Sequence, residues 1–144
     1  MAIIHILDKN TDKIIGTLNH LKAEYVGAVR KDSLTAENTF DLIANARSPK
    51  ASLLEKRTRL AVQDEDGFFR EFIITYAEQY QREEKLVRAD ASFIDLSKAK
   101  IIDPQTLEGA TALTAVQTAL EGTEWKAGDI EYADIRTIIL EEYT

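Results

Sequence analysis

Cysteine is absent from all 144 residues. That excludes a disulfide scaffold, a thiol nucleophile and a cysteine zinc site. It leaves the redox compartment open, because a chain without thiols is indifferent to it. Long apolar runs are missing too. The longest span only a few residues, far short of the ~20 that a helix needs to cross a bilayer. Met1 to Asp8 shows no basic run ahead of an apolar stretch, so no signal peptide is expected. A soluble protein made in the cytoplasm is the expectation. Glycine is sparse. Gly16, Gly27, Gly67, Gly109, Gly122 and Gly128 stand singly, as punctuation, and no glycine-rich phosphate loop can be built from them. Positive charge is in the minority, with 18 basic against 25 acidic residues and a net charge of −7. Phosphate binding rests on clustered Lys and Arg, so direct nucleic-acid recognition is not expected. The local exception, Lys50, Lys56, Arg57 and Arg59, reads as a solvated stretch leading into a strand.

What remains is enough chain for one domain, or one domain with a small appendage. A chain this long buries roughly 68–70 % of its unfolded surface and folds without metal or disulfide. Ile4 and Ile6, then Ile14 and Leu18, flank Asp8-Lys9-Asn10-Thr11-Asp12, a cluster of turn formers. That predicts a hairpin over the first eighteen residues. Tyr25, Val26, Ala28 and Val29 fit another short strand. Phe40, Leu42 and Ala44 alternate with Thr39 and Asp41, as a half-buried strand does. Ser48-Pro49 supplies an N-cap and a first-turn proline for a short helix through Leu53 and Leu54.

A second hairpin is predicted by Thr58, Leu60 and Val62, the turn Asp64-Glu65-Asp66-Gly67, and a return strand. On that strand Phe68, Phe72, Ile74 and Tyr76 are expected on one face, with Phe69 and Ile73 on the other. Apolarity on both faces marks a central strand or a curled sheet. Lys85 to Ser92 sets Val87, Ala89 and Ala91 against Leu86, Arg88 and Asp90. The pattern changes after Phe93. Asp95 to Lys98 fits a helical turn, and Pro104 and Gly109 mark a connector. Thr111 caps a helix of about 111–121 carrying Leu113, Val116 and Leu120, and Gly122 is placed to end it. Arg136 to Tyr143 closes with a strand bearing Ile138 and Leu140. The expected fold is α+β but mainly β. A small barrel-like antiparallel domain (1–92) precedes a helix-plus-strand element (93–144).

No motif marks catalysis. Asp8 to Asp12 matches the start of a calcium loop, but Lys13 stands where the loop needs glycine and Asn19 where it needs glutamate. A hairpin turn is the reading. His5 and His20 could face each other across the first hairpin, but no third ligand follows by spacing. The acidic pairs Asp64 with Asp66, Glu83 with Glu84 and Glu141 with Glu142 read as solvated turns rather than a glycosidase pair. Trp125 reads as a cap on a small core. No catalytic, metal or cofactor-binding residue is assigned, and no cofactor is expected.

Several stretches, in order, resemble one family. They are Ile6-Leu7-Asp8-Lys9 with Ile14-Ile15-Gly16, Glu37 to Leu42, Arg70 to Ile74, Ala89 to Leu96, and Leu120-Glu121-Gly122-Thr123-Glu124-Trp125-Lys126-Ala127-Gly128. Together they are similar to the N-terminal region of the phage minor structural proteins, also described as tail-associated lysins or prophage endopeptidase tail proteins. The resemblance implies a tail-tip hub with barrel-like modules, assembled as a trimer around the tail axis on a ring of distal tail protein. It implies location in the virion after synthesis in the host cytoplasm. Family members continue beyond this length, often to a wall-degrading part, so no lytic activity is expected within 1–144. Two other readings stay open. A carbohydrate-binding module predicts that Tyr25, Tyr80 and Trp125 converge on a groove. A hydrolase predicts one indispensable Asp or Glu.

Overall fold

A computed structural model describes residues 3–33, 38–80, 82–98, 105–131 and 136–140. The chain divides into two compact units, Met1–Ile94 and Asp95–Thr144. The first unit holds seven strands: β1 (Ile3–Leu7), β2 (Ile14–Asn19), β3 (Tyr25–Asp32), β4 (Asn38–Asn45), β5 (Arg59–Gln63), β6 (Phe69–Gln79) and β7 (Glu84–Ala91). They form one antiparallel sheet in the order β2-β1-β5-β6-β7-β4-β3. β6 is the central strand.

The strands follow from turn chemistry and alternation. Asp8 Oδ1 accepts from the Asn10 and Thr11 N–H groups, which folds the β1–β2 turn as an aspartate turn rather than an ion loop. On β4, Phe40, Leu42 and Ala44 are buried and their neighbours are not. On β7, Val87, Ala89 and Ala91 face inward. Ser48 caps a 3₁₀ helix at Pro49–Leu53, accepting from Lys50 N–H. Gly67 takes φ +85 in the β5–β6 turn, a conformation that costs glycine little.

The order of strands forces a curl. β2 and β3 lie at opposite ends of the sheet yet are joined by only residues 20–24, which include a 3₁₀ turn at His20–Lys22. In a flat sheet seven strands would set the outermost two roughly 29 Å apart at ~4.8 Å spacing. Here Glu24 N–H donates to Asn19 O at 3.3 Å. The sheet therefore wraps until its two edges approach. No ladder joins β2 to β3, so it is not a closed barrel. Inside the curl Ile4, Ile6, Leu18, Tyr25, Phe40, Leu42, Leu54, Leu60, Phe72, Ile74 and Val87 make one core. At its centre the Phe40 and Phe72 rings lie 5.4 Å apart.

Two expectations on β6 are corrected. Phe68 precedes the strand and is 68 % exposed, and Tyr76 is 42 % exposed, so neither shares the core face of Phe72 and Ile74. For Tyr76 the reason is a register shift between Ile74 and Tyr76, while Phe68 belongs to the turn. A bulge adds one residue and reverses the alternation, so Ala77, not Tyr76, packs on the core.

In the second unit β8 (Gln105–Ala110) pairs with β9 (Arg136–Leu140), and α1 (Ala112–Ala119) lies between them in sequence. Thr111 Oγ1 accepts from Thr114 N–H as the N-cap, and Gly122 takes φ +81 beyond the helix. Pro104 and Gly109 were expected to mark a connector, but Gln105–Ala110 is a strand. Its Gly109 takes φ +61 inside a register shift between Leu107 and Ala110. On α1 the buried residue is Ala115, while Leu113 and Val116 stay exposed. The expected apolar face is thus not the covered one within the described residues. Pro104, Glu141, Glu142 and Tyr143 lie outside the described residues.

Candidate interaction surface

A curled antiparallel sheet has a filled concave face and a convex face turned to solvent. The convex face of β2-β1-β5-β6 carries several exposed apolar side chains, as does the β3 side with Leu21, Val26 and Val29. Register places its side chains. Ile4 pairs with Leu18 and Val62 on the core side, so Ile3, His5 and Leu7 point outward with Thr17 and Ala61. Gln63 pairs with Phe69, Ala61 with Glu71, and Arg59 with Ile73.

The apolar residues gather at two ends of this face. At the β5–β6 turn, Phe68, Phe69 (52 % exposed) and Ile3 are in contact with solvent. At the β1–β2 turn, Ile14 (51 % exposed) and Ile15 are. Ile15 is the residue passed over where the β1–β2 register shifts, which turns both isoleucines out at the sheet's edge. The middle is polar. His5 Nδ1 is 3.1 Å from Thr17 Oγ1, and the His5 ring lies 5.6 Å from that of Phe69. Arg59 donates to Asp8 O, Thr11 O, Asp12 and Glu71, tying the β1–β2 turn to the sheet. Burial works against its charge, but the Glu71 and Asp12 carboxylates outweigh it and raise its pKa.

Ion pairs fasten the sheet where no ladder does. Arg30 on the edge strand β3 bonds Asp64 of the β5–β6 turn and stacks 6.0 Å over the Phe72 ring. That contact spans one mouth of the curl. The Arg30 guanidinium holds the Asp64 carboxyl below its ordinary value, helped by the Glu65 N–H. Arg70 adds a pair to Asp66 and stacks over Phe68. At the seam, Lys50 Nζ donates to Thr17 O and to Glu24 Oε1, at 2.6 and 2.7 Å, and lowers the Glu24 pKa. Gly16 leaves room beside β2 for the Leu53 side chain, since a Cβ there would stand 2.8 Å from Leu53 Cδ1 and push that methyl aside.

These contacts settle where the sequence candidates lie. Lys50 and Arg59 spend their charge on internal partners and do not form a basic face with Lys56 and Arg57. His5 meets Thr17 and Phe69, while His20 stacks 5.2 Å from Tyr25, so the two histidines do not face each other. Among the described residues no three His, Asp or Glu side chains converge as a metal site would require. Asp64 and Asp66 are held by arginines, and Glu83 pairs with Arg47. Tyr25 is 2 % exposed and belongs to the core, so it cannot join Tyr80 and Trp125 on a sugar-binding groove. The Phe68–Phe69 tip and the Ile14–Ile15 edge were not singled out from sequence. Adjacent aromatics directly after an acidic turn were the available signal for the first.

No family model, curated protein or solved structure matches the chain.

Proposed function

We propose that this chain is a structural module of a phage or prophage tail tip, a baseplate hub segment that works by assembly and carries no catalytic step. In this reading the curled sheet is the barrel-like hub domain. It assembles around the tail axis, as a trimer in the complete tail, and seats on the ring of distal tail protein. It joins the tube to host-recognition or lytic parts, with no direct nucleic-acid recognition and no membrane insertion by this segment. Its place is the virion.

The observation that carries this reading is the exposed apolar material at both ends of the convex face. Isolated surface hydrophobics need no explanation, but aromatic and branched residues gathered at sheet ends mark protein contacts. The ordered resemblance from Ile6 to Gly128 supports the tail-tip setting. The test is deletion of the coding sequence from an inducible prophage that carries it. The expected result is tail tubes that lack tips, restored by supplying the chain in trans. Normal, infective tails after deletion would overturn the proposal.

A further inference from the structure

The β2–β3 seam has no ladder, and side chains close it instead. Glu24, the last residue of the link, stands at its centre. Its N–H donates to Asn19 O, and its carbonyl accepts from Asn45 N–H of β4 at 2.9 Å. Its two carboxylate oxygens are divided between two donors. Oε2 accepts from Asn19 N–H at 2.6 Å, and Oε1 accepts from Lys50 Nζ at 2.7 Å. Lys50 Nζ also donates to Thr17 O at 2.6 Å. Three backbone groups of β2 are thus bonded to this pair: Thr17 O, Asn19 N–H and Asn19 O. Lys50 is itself well seated. It belongs to the 3₁₀ helix at Pro49–Leu53, where Ala51 is buried and its carbonyl accepts from Lys85 Nζ at 2.8 Å. Leu54, next along the chain, lies fully in the core.

This arrangement suits a carboxylate and not a carboxylic acid. The Glu24 side chain is only 14 % exposed, and each of its oxygens faces a donor. A protonated carboxyl would bring a further donor among them and would leave the Lys50 ammonium without its counter-charge. We infer that Glu24 and Lys50 form an acid-release latch: neutralising Glu24 parts β2 from β3 while β1, β5, β6, β7 and β4 stay paired. The surroundings keep the latch closed at neutral pH. Lys50 first, then the Asn19 N–H and the Lys22 charge, favour the carboxylate against the effect of burial, so it titrates below its ordinary value of 4.5. His20, on the same turn as Lys22, lies against Tyr25, and Arg47, ahead of the 3₁₀ helix, pairs with Glu83. β2 and β4 contribute the neutral Thr17, Asn19 and Asn45. The stability that Glu24 adds is therefore present above 4.5 and is lost as pH falls through the lower folded-state value. An opened seam leaves β2 and β3 as bare edges, which are the groups that pair with strands of other chains. The latch belongs to the first unit and does not depend on the tail-tip reading.

The experiment is amide hydrogen–deuterium exchange on the full chain, read segment by segment and corrected for the intrinsic pH dependence of exchange. At pH 7, Glu24→Gln should speed exchange about tenfold in β2 and β3, the scale of one charge-assisted hydrogen bond lost, and leave β5 and β7 unchanged. The glutamine amide keeps one acceptor but sets its NH₂ against a donor, as the protonated acid would. Lys50→Met should give the same pattern, and it carries the test should Glu24→Gln not fold. Wild type should take on the Glu24→Gln pattern as pH falls below 4.5, whereas the seam of Glu24→Gln should change little over that range. That convergence separates a titrating latch from a contact that is only structural. Exchange that is unchanged in the variants, exchange that rises equally in all seven strands, or a wild-type seam that stays protected well below pH 4.5 would overturn the inference.

Discussion

Arginines do much of the joining in the first unit, and each does so by leaving water only partly. Arg30 lies over the Phe72 ring while its guanidinium holds Asp64 across the mouth of the curl. Arg59 uses a planar fork of donors to gather two carbonyls and two carboxylates, a task a lysine could not repeat with one ammonium. The Asp64 carboxyl titrates below its ordinary value of 3.8 because Arg30 favours the charged form. Its contribution to stability is therefore present above that ordinary value and is lost as pH falls through the lower folded-state value. Asp64→Asn should be less stable than wild type at pH 7, and the two should converge as the pH drops below 3.8. Urea denaturation at several pH values checks this. A gap that stays constant with pH would show that the pair's charge does not matter.

At the scale of elements, the strands built on unbroken alternation were legible in the sequence. Phe40-Leu42-Ala44 on β4 and Val87-Ala89-Ala91 on β7 face inward as their period of two requires. Where a ladder slips by one residue, legibility ends. The bulge before Tyr76 leaves no mark in composition, because Thr75 and Tyr76 are ordinary strand residues and the slip is set by pairing with β7. Gly109 misleads for a related reason: glycine signals punctuation, yet here its left-handed φ serves a bulge inside β8. The α1 stripe of Leu113 and Val116 suggested a buried face, whereas Ala115 is the residue covered. Turns fared better, since their chemistry is local. Gly67→Ala should cost about 1 kcal/mol, because an alanine at φ +85 is strained even with open space around its Cβ. Chemical denaturation measures it, and a neutral result would mean that the turn adopts another conformation in the variant.

For the whole molecule, the curl itself was only partly visible. Two-sided apolarity on the second hairpin's return strand pointed to a central or curled position, and β6 is central. The strand order was not visible, because it depends on the five-residue link that ties the two edge strands together, and nothing in residues 20–24 names its partner strands. The surface was the least legible feature. Exposure of Phe69, Ile14 and Ile15 follows from register and from the sheet's edges, which are properties of the assembled fold rather than of local pattern. The same logic explains why apolar surface sits at the ends of one face: a curled sheet buries one face in its core and leaves its edges and turns exposed. The account rests on those edges and turns belonging to a tail. The direct measurement is immunogold electron microscopy of purified tail particles, with antibodies raised against this chain. The account predicts gold confined to the distal tip of the tube, on particles from wild-type lysates and not from the deletion strain. Particles without gold, or gold spread along the tube, would contradict it.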